Sequence, residues 1–550
     1  MEELADRDLS TKVIIRWRWL LAGILLLPGL VNAATLTVDS AADTIEEDDF
    51  CTLREAVINA NNNDQSGSTD CTAGDALPTV DVISFSGTTN GVPIVLSLTG
   101  ADENAAATGD LDITESVIIN GNGASAVTTV DGNGTDRVFE VRNAAEVQML
   151  YLTVTNGGAV TVGAGVRVFS GTLEMQDARV SANTINAGPS AGTLAGAGIY
   201  AQDYVRLTRV AVEDNSIDAL GDYAGQGAGI SVATGGEVEL ITSLVRNNAI
   251  NTEDGSASGA GLYNAPNNAG LTTGISSSIF DGNEAVSSGD GGASGGAINH
   301  QSGTLSIVRG VFSNNLVRRL SDSGAAVASG GAIAAFDPVT LRNSTVSGNT
   351  ARSVEASWGG GLSLSDVATL NNVTITNNTA RLSGAGSTLG GGLRGNSQVE
   401  ISNSVVAGNT TVNGGADSPD CYSTITSAGY NLIGDNTGCT FVDTTGDQVG
   451  DVAGGDSAID ARLAVLAAYG SSISIHGDEI AVLTHAPLPD SPLIDTADPN
   501  TPGAGGTCES LDQIGYGRPI DGDDNGAAVC DIGSVEYSTD LPSPPSSGNG

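Results

Sequence analysis

In "GGGLSLSDVATLNNVTITNNTA", Gly359–Ala380, apolar side chains fall at Leu362, Leu364, Leu370, Val373 and Ile375, with Ser, Thr, Asp and Asn between them. A spacing of two is the period of a strand that sends alternate side chains into a core. The pattern recurs along the chain. Asn183, Asn215, Asn248, Asn283, Asn315, Asn349, Asn378 and Asn409 each close a unit. Three residues before each stands Val, Phe or Ile, and eight before stands Met, Leu or Ile. A glycine-rich lead-in ("GAGV", "GAGI", "GGAI", "GGGL") opens each unit, and the period runs from 29 to 36 residues.

Helical solenoids share that period. They need apolar residues at 3.6 spacing, and the glycine pairs inside each unit would cost a helix about 1 kcal/mol per residue. Two or three short strands per unit fit instead, and strands this short cannot bury their apolar sides alone. Stacking coil on coil solves that problem, because each coil then hydrogen-bonds to the next around a continuous core. The pattern therefore predicts a parallel β-helix over residues 79–413, regular over 157–413. Eight coils at ~4.8 Å each give a rod of roughly 40 Å. Glycine and asparagine suit left-handed corners, and stacked asparagines can pass amide hydrogen bonds from coil to coil. The segments after each Asn vary ("NTEDGSASG", "VRRLSDSGAAVAS") and are expected as loops along one side of the rod.

Both ends of such a rod need covering. In "CTLREAVINAN", Thr52 and Glu55 make a capping box, and Leu53, Ala56, Val57 and Ala60 share one face. A helix over 52–61 is expected within an N-terminal cap spanning 34–78. Strands are expected at 79–86, 93–98, 111–120, 128–131, 137–142 and 146–155. After Asn413 the period stops, and 414–537 reads as an irregular C-terminal cap with a helix at 460–469 ("DARLAVLAAY"). Residues 538–550 are a Pro/Ser/Gly linker-like tail.

At the N-terminus, Lys12, Arg16 and Arg18 precede "WLLAGILLLPGL" and then "VNA". This reads as an export signal over 1–33, cut after Ala33, with an uncleaved anchor as the alternative. No integral membrane span is expected after its removal. The signal takes four of the 21 basic residues and four of the 64 acids, so the net charge stays at −43 and the remaining 17 basic residues are all arginine. A surface this acidic repels nucleic acid and anionic lipid. Six cysteines stand at 51, 71, 421, 439, 508 and 530. In an exported chain they are expected as disulfides. Neighbour pairing (Cys51–Cys71, Cys421–Cys439, Cys508–Cys530) closes the shortest loops, though six cysteines allow 15 connectivities.

Three stretches carry a family resemblance. "CTLREAVINAN" resembles the CSLREA domain motif of bacterial surface proteins. The "GGAI…FxxN" units are similar to the repeats of chlamydial polymorphic outer-membrane proteins. "SPLIDTADP" with "GRPIDGDDNGAAVCDIGSVEY" resembles the choice-of-anchor Q domain. The resemblance implies an exported bacterial right-handed single-stranded β-helix, often attached to the surface, with adhesins among its members. It implies no catalytic residue. The chain departs from the family pattern in carrying neither a sorting tail nor a C-terminal membrane barrel.

Candidate chemistry is sparse. A polysaccharide lyase needs a Lys or Arg base beside cations that neutralise a uronic acid. No lysine follows Lys12, and of the arginines only Arg318 and Arg319 are adjacent. A hydrolase needs paired carboxylates, and stacking could bring Asp281 to Asp214 or Glu213. His300 falls where other units carry Val232, Ala335 or Leu364, which suggests a core or corner histidine. His476 and His485 have no partner at metal spacing, and Trp358 is the one tryptophan beyond the signal. "DGDDNG" places Asp521, Asp523 and Asn525 at alternate positions like the first half of a calcium loop, but its twelfth position is Ile532, with Asp531 one short. No cofactor is required; calcium at this turn is one reading, and a turn between Cys508 and Cys530 that is merely rich in acid is the favoured one. The reading is an extracellular or cell-surface non-catalytic scaffold that presents variable loops to a surface, carbohydrate or protein ligand. A lyase or hydrolase is the first alternative, and a calcium-binding acidic matrix component the second.

Overall fold

The structure, a computed structural model, describes residues 33–100, 103–123, 126–187, 192–322, 326–396, 398–414, 418–504 and 507–541. The expected export signal, apart from Ala33, and most of the 538–550 tail lie outside the described residues. The chain winds a right-handed single-stranded parallel β-helix of about ten coils, or roughly 48 Å at ~4.8 Å per coil. No helix among the described residues is long and apolar enough to cross a membrane.

One coil shows the plan. Ile230–Val232 lies on face B, Glu237–Ile241 and Leu244–Arg246 on face A, Ala249–Thr252 on face D, and Ala257–Ser258 on face C. Each pairs in parallel with its counterpart in the next coil. A unit thus holds up to five strands, where two or three were expected. Single left-handed residues divide runs that read as continuous. Tyr151 (φ 55) splits the 146–155 run, and Thr242 (φ 52) parts the two face A strands.

The repeated apolar positions stack as columns. Met175, Leu207, Leu240, Ile275, Ile307, Leu341, Leu370 and Ile401 are successive ladder partners. So are Val180, Val212, Val245, Phe280, Phe312, Val346, Ile375 and Val406, with the two phenylalanine rings stacked 5.3 Å apart. These columns fill the core between faces A and B. A second, narrower core of mainly alanines lies between faces D and C, with Ile217, Ile250 and Val317 among its larger members.

The asparagines form the expected ladder. Asn378, for example, accepts at one oxygen both the main-chain N–H (3.0 Å) and the side-chain amide (2.9 Å) of Asn349, and it gives the same pair to Asn409. The ladder residues do not take the left-handed corner themselves. The residue before each does, as at Asp214 (φ 56), Asn314 (φ 56) and Asn377 (φ 59). In "NN" the first residue turns the chain and the second stacks. The glycine triplet divides its labour in a similar way. Gly359 takes φ +59, while a side chain at Gly361 would meet the Asn378 amide carbon at 3.0 Å.

The N-terminal helix, α1, spans Leu53–Asn62, with both halves of the Thr52–Glu55 capping box present. Buried Arg54 holds Asp43 with two nitrogens (2.5 and 3.2 Å) and donates to the carbonyls of Ala106 and Gly109 (both 2.8 Å). The arginine of "CTLREA" thereby ties the cap to the first coils. The early strands form as Asp81–Phe85, Ile94–Val95, Leu111–Ile113, Val117–Asn120, Thr128–Asp131, Phe139–Val141, Ala145–Leu150 and Leu152–Thr155.

The C-terminal region departs from expectation. Residues 421–449 do continue the coils (Cys421–Gly429, Leu432–Ile433, Gln448–Val449). From about residue 459 the chain turns back along the outside of face A. No helix forms at 460–469. Arg462 is left-handed (φ 50), Leu463 bridges Pro487, and Ala467–Ile475 pairs antiparallel with Asp478–Thr484. Docking overrides the local helical preference there. An outward row of the solenoid receives this flank. Ala211, Leu244, Ile279 and Val311 pack on Ile473, Ile475 and Val482. Thr345 then bonds Gln513 and Ser534, and Val405 and Leu432 meet Leu493 and Ile532. The flank reaches the early coils, where His476 donates to the Asp177 carbonyl at 2.5 Å. The disulfides are Cys51–Cys71, Cys421–Cys439 and Cys508–Cys530.

Candidate interaction surfaces

The described variable segments 253–256, 288–292 and 383–386 leave the rod between faces D and C, on one edge. The flank covers one outward row of face A, with Ala211, Leu244, Ile279 and Val311 among its members, while Thr369 and Glu400 on the same face stay exposed. The edge loops, the outer rows of faces B, C and D and this exposed row of face A remain for a partner.

The Asp521–Gly526 turn lies within the flank. Asp521 accepts from the amides of Asn525 (3.1 Å) and Gly526 (2.9 Å). Asp523 accepts from the Asn525 amide and side chain (3.0 and 2.8 Å). Asn525 donates within the turn, and its side-chain oxygen accepts from the Ala527 amide at 2.9 Å. A third acid arrives from elsewhere: Asp495, whose carboxylate accepts from Gly522 and Asp523 (2.9 and 3.0 Å). Ligand atoms of Asp495, Asp521 and Asp523 lie within 4.8 Å of one another, so these three could hold a divalent cation. Asp531 is buried behind them and accepts the Asp495 amide at 2.8 Å. Burial pushes its carboxyl well above the usual range, as it also raises neighbouring Glu536, which Arg518 contacts at 2.5 Å.

A second acidic group sits under the N-terminal cap. Arg137 bridges Asp110 and Glu140 (both 2.8 Å), and Glu140 also meets Arg142 at 2.8 Å. Asp112 completes the cluster, and one of its buried oxygens has no hydrogen-bond partner. Burial lifts Asp112 to about 7 and Asp110 to about 6. Arg167 lies 3.4 Å from Glu140 as well, and three arginines against three carboxylates leave little to attract a cation.

The carboxylate pair offered for hydrolysis does not form. Glu213, Arg246 and Asp281 are consecutive rungs, so an arginine stands between the acids. Arg246 and Arg179 both bind Glu213, while Asp281 accepts from Ser313 (2.6 Å) and Asn314 (2.9 Å). His300 is a core residue, as its position implied. It bonds Asn264 at 2.8 Å, and burial lowers its pKa and keeps it neutral. His485 joins Ser347 (2.8 Å) to the Ala464 carbonyl (2.7 Å). With a carbonyl as third member and serine and histidine both buried, this is a seam between flank and coils. A cavity of about 500 Å³ opens beside it, lined by Asn409, Asp420, Asp435, Arg462 and His485 among others. The Trp358 ring is covered by the Arg394 guanidinium, 4.5 Å from its centre.

Two outward rows escaped the sequence reading because their members lie a whole unit apart. On face B, the row that carries Arg167 and Tyr200 goes on to Tyr263 and, further along, Arg394 and Tyr422. On face D, Arg318, Arg352 and Arg381 are direct ladder partners. Each stands three residues after a ladder asparagine, an offset that could have revealed them. No family model, curated protein or solved structure matches the chain.

Proposed function

We propose that this protein is a secreted or cell-surface scaffold that presents loops and side-chain rows for adhesion or interaction, without catalysis. One observation carries the reading: the described segments of varied sequence emerge together on one edge of the rod, while the chain's own C-terminal region covers part of face A. A rod holds such loops at fixed spacing, which suits contact with an extended surface. Three disulfides and the expected export signal support an extracellular setting. The likeness to bacterial surface proteins points the same way. The test is attachment of protein-coated beads to cells and immobilised glycans, run beside assays for reducing ends and unsaturated uronates from pectin and alginate. Attachment without turnover is expected, and turnover would overturn the reading in favour of a lyase or hydrolase.

A further inference from the structure

Face D carries a strip of positive charge on an acidic molecule. Val317, Ala351 and Ala380 are buried in the coil interior, so their neighbours Arg318, Arg352 and Arg381 point outward, one above another. Arg319, one residue further, points inward and lies 3.7 Å from Glu355. Among the described residues none of the three outward arginines meets a carboxylate, and the sealed Nε of Arg318 has no hydrogen-bond partner. Like charges on adjacent rungs repel. In a chain with net charge −43 an acid could easily have stood beside them. The flanking positions are instead Leu316, Thr350 and Thr379, and the adjoining rungs are Val286 and Val412.

Resting on the interaction reading above, we propose that Arg318, Arg352 and Arg381 form a binding strip for a linear polyuronate, with one sugar carboxylate on each coil. The planar guanidinium fork matches a carboxylate. A polyuronate offers one carboxylate per sugar along an extended chain, and the strip offers one arginine every ~4.8 Å along the rod. An extended acidic peptide presents same-side carboxylates only every ~6.8 Å. Single-stranded nucleic acid needs aromatic platforms for its bases, and none flanks the strip. Three charged rungs bounded by valine make the core site a trisaccharide.

The test is binding of the full-length protein to oligogalacturonate in EDTA, which removes calcium bridging, by calorimetry at low and high salt. Binding that weakens with salt is expected. Each single Arg→Gln change should weaken it about threefold, and R318Q/R352Q/R381Q about 30-fold. The triple variant should melt no lower than the parent, since it relieves repulsion, and neutral dextran should not bind. Three results would overturn the strip: undiminished oligogalacturonate binding by the folded triple variant, equal affinity for single-stranded DNA, or no polyuronate binding by a protein that still attaches to cells. The last would leave the interaction reading standing.

Discussion

Asn409 gives its main-chain N–H and its side-chain amide to a single oxygen of Asp420, each at 2.9 Å. Every earlier rung passes these two bonds to another asparagine, whose amide must then find a further acceptor. A carboxylate only accepts, so Asp420 ends the ladder without leaving a donor over. Its second oxygen takes the Asp435 amide at 2.8 Å. Replacing Asp420 with Ala strands these donors and should cost about 3 kcal/mol. A lower melting temperature and faster hydrogen exchange at Asn409 would register the loss. Unchanged exchange there would count against this account of the terminus.

The cluster under the N-terminal cap sets a pH dependence. Burial raises Asp112 to about 7 and Asp110 to about 6, so both hold their protons more tightly folded than unfolded. That contribution is complete below about pH 4 and is lost as pH rises through 6 and 7. Asp112→Asn keeps the shape without the charge. The variant should match the parent at pH 4.5 and melt several degrees higher at pH 8, and equal melting at both pH values would exclude the linkage.

Arg54 is buried against Asp43 and the carbonyls of Ala106, Gly109 and Asp110, so truncation leaves an uncompensated charge. Arg54→Ala should destabilise the N-terminal cap by about 3–5 kcal/mol. Limited proteolysis within 34–78 is the readout. Arg54→Lys should recover little, because a single ammonium cannot replace the two-pronged contact.

The flank is held by apolar contacts that one charge should break. Ile475 packs against the row of Ala211, Leu244, Ile279 and Val311, and burying such a side chain is worth roughly 1.5–3 kcal/mol. Ile475→Asp should release the 467–484 hairpin while the coils persist. Hydrogen exchange rising in that hairpin and staying slow in 230–246 is the expected pattern.

Asp495, Asp521 and Asp523 already accept amides of their own turn and include no two-pronged distal acid. Calcium binding here is expected in the millimolar range, roughly 10⁻⁴ to 10⁻³ M. Titration calorimetry on the full-length protein and on Asp521→Asn would measure it. Micromolar binding in the parent would mean that the turn rearranges.

The coils were legible because a solenoid turns a three-dimensional contact into a one-dimensional period. Leu207 touches Leu240 because both lie eight residues before a ladder asparagine, and Cys51 found Cys71 within the same cap. The strand count was harder to read, since a single left-handed residue such as Tyr151 or Thr242 divides a strand without altering its alternation. The arginine strip was visible in principle as a fixed offset, but its members look scattered until the rungs are aligned. The return of the flank along face A, the arrival of Asp495 beside Asp521 and the arginine between Glu213 and Asp281 left no comparable periodic signal. Composition and period settle which residues face inward, because burial depends on neighbours one unit away. Where the chain leaves the column and which outer row it covers depend on contacts such as that between His476 and Asp177, almost three hundred residues apart, and these exist only once the rod has formed.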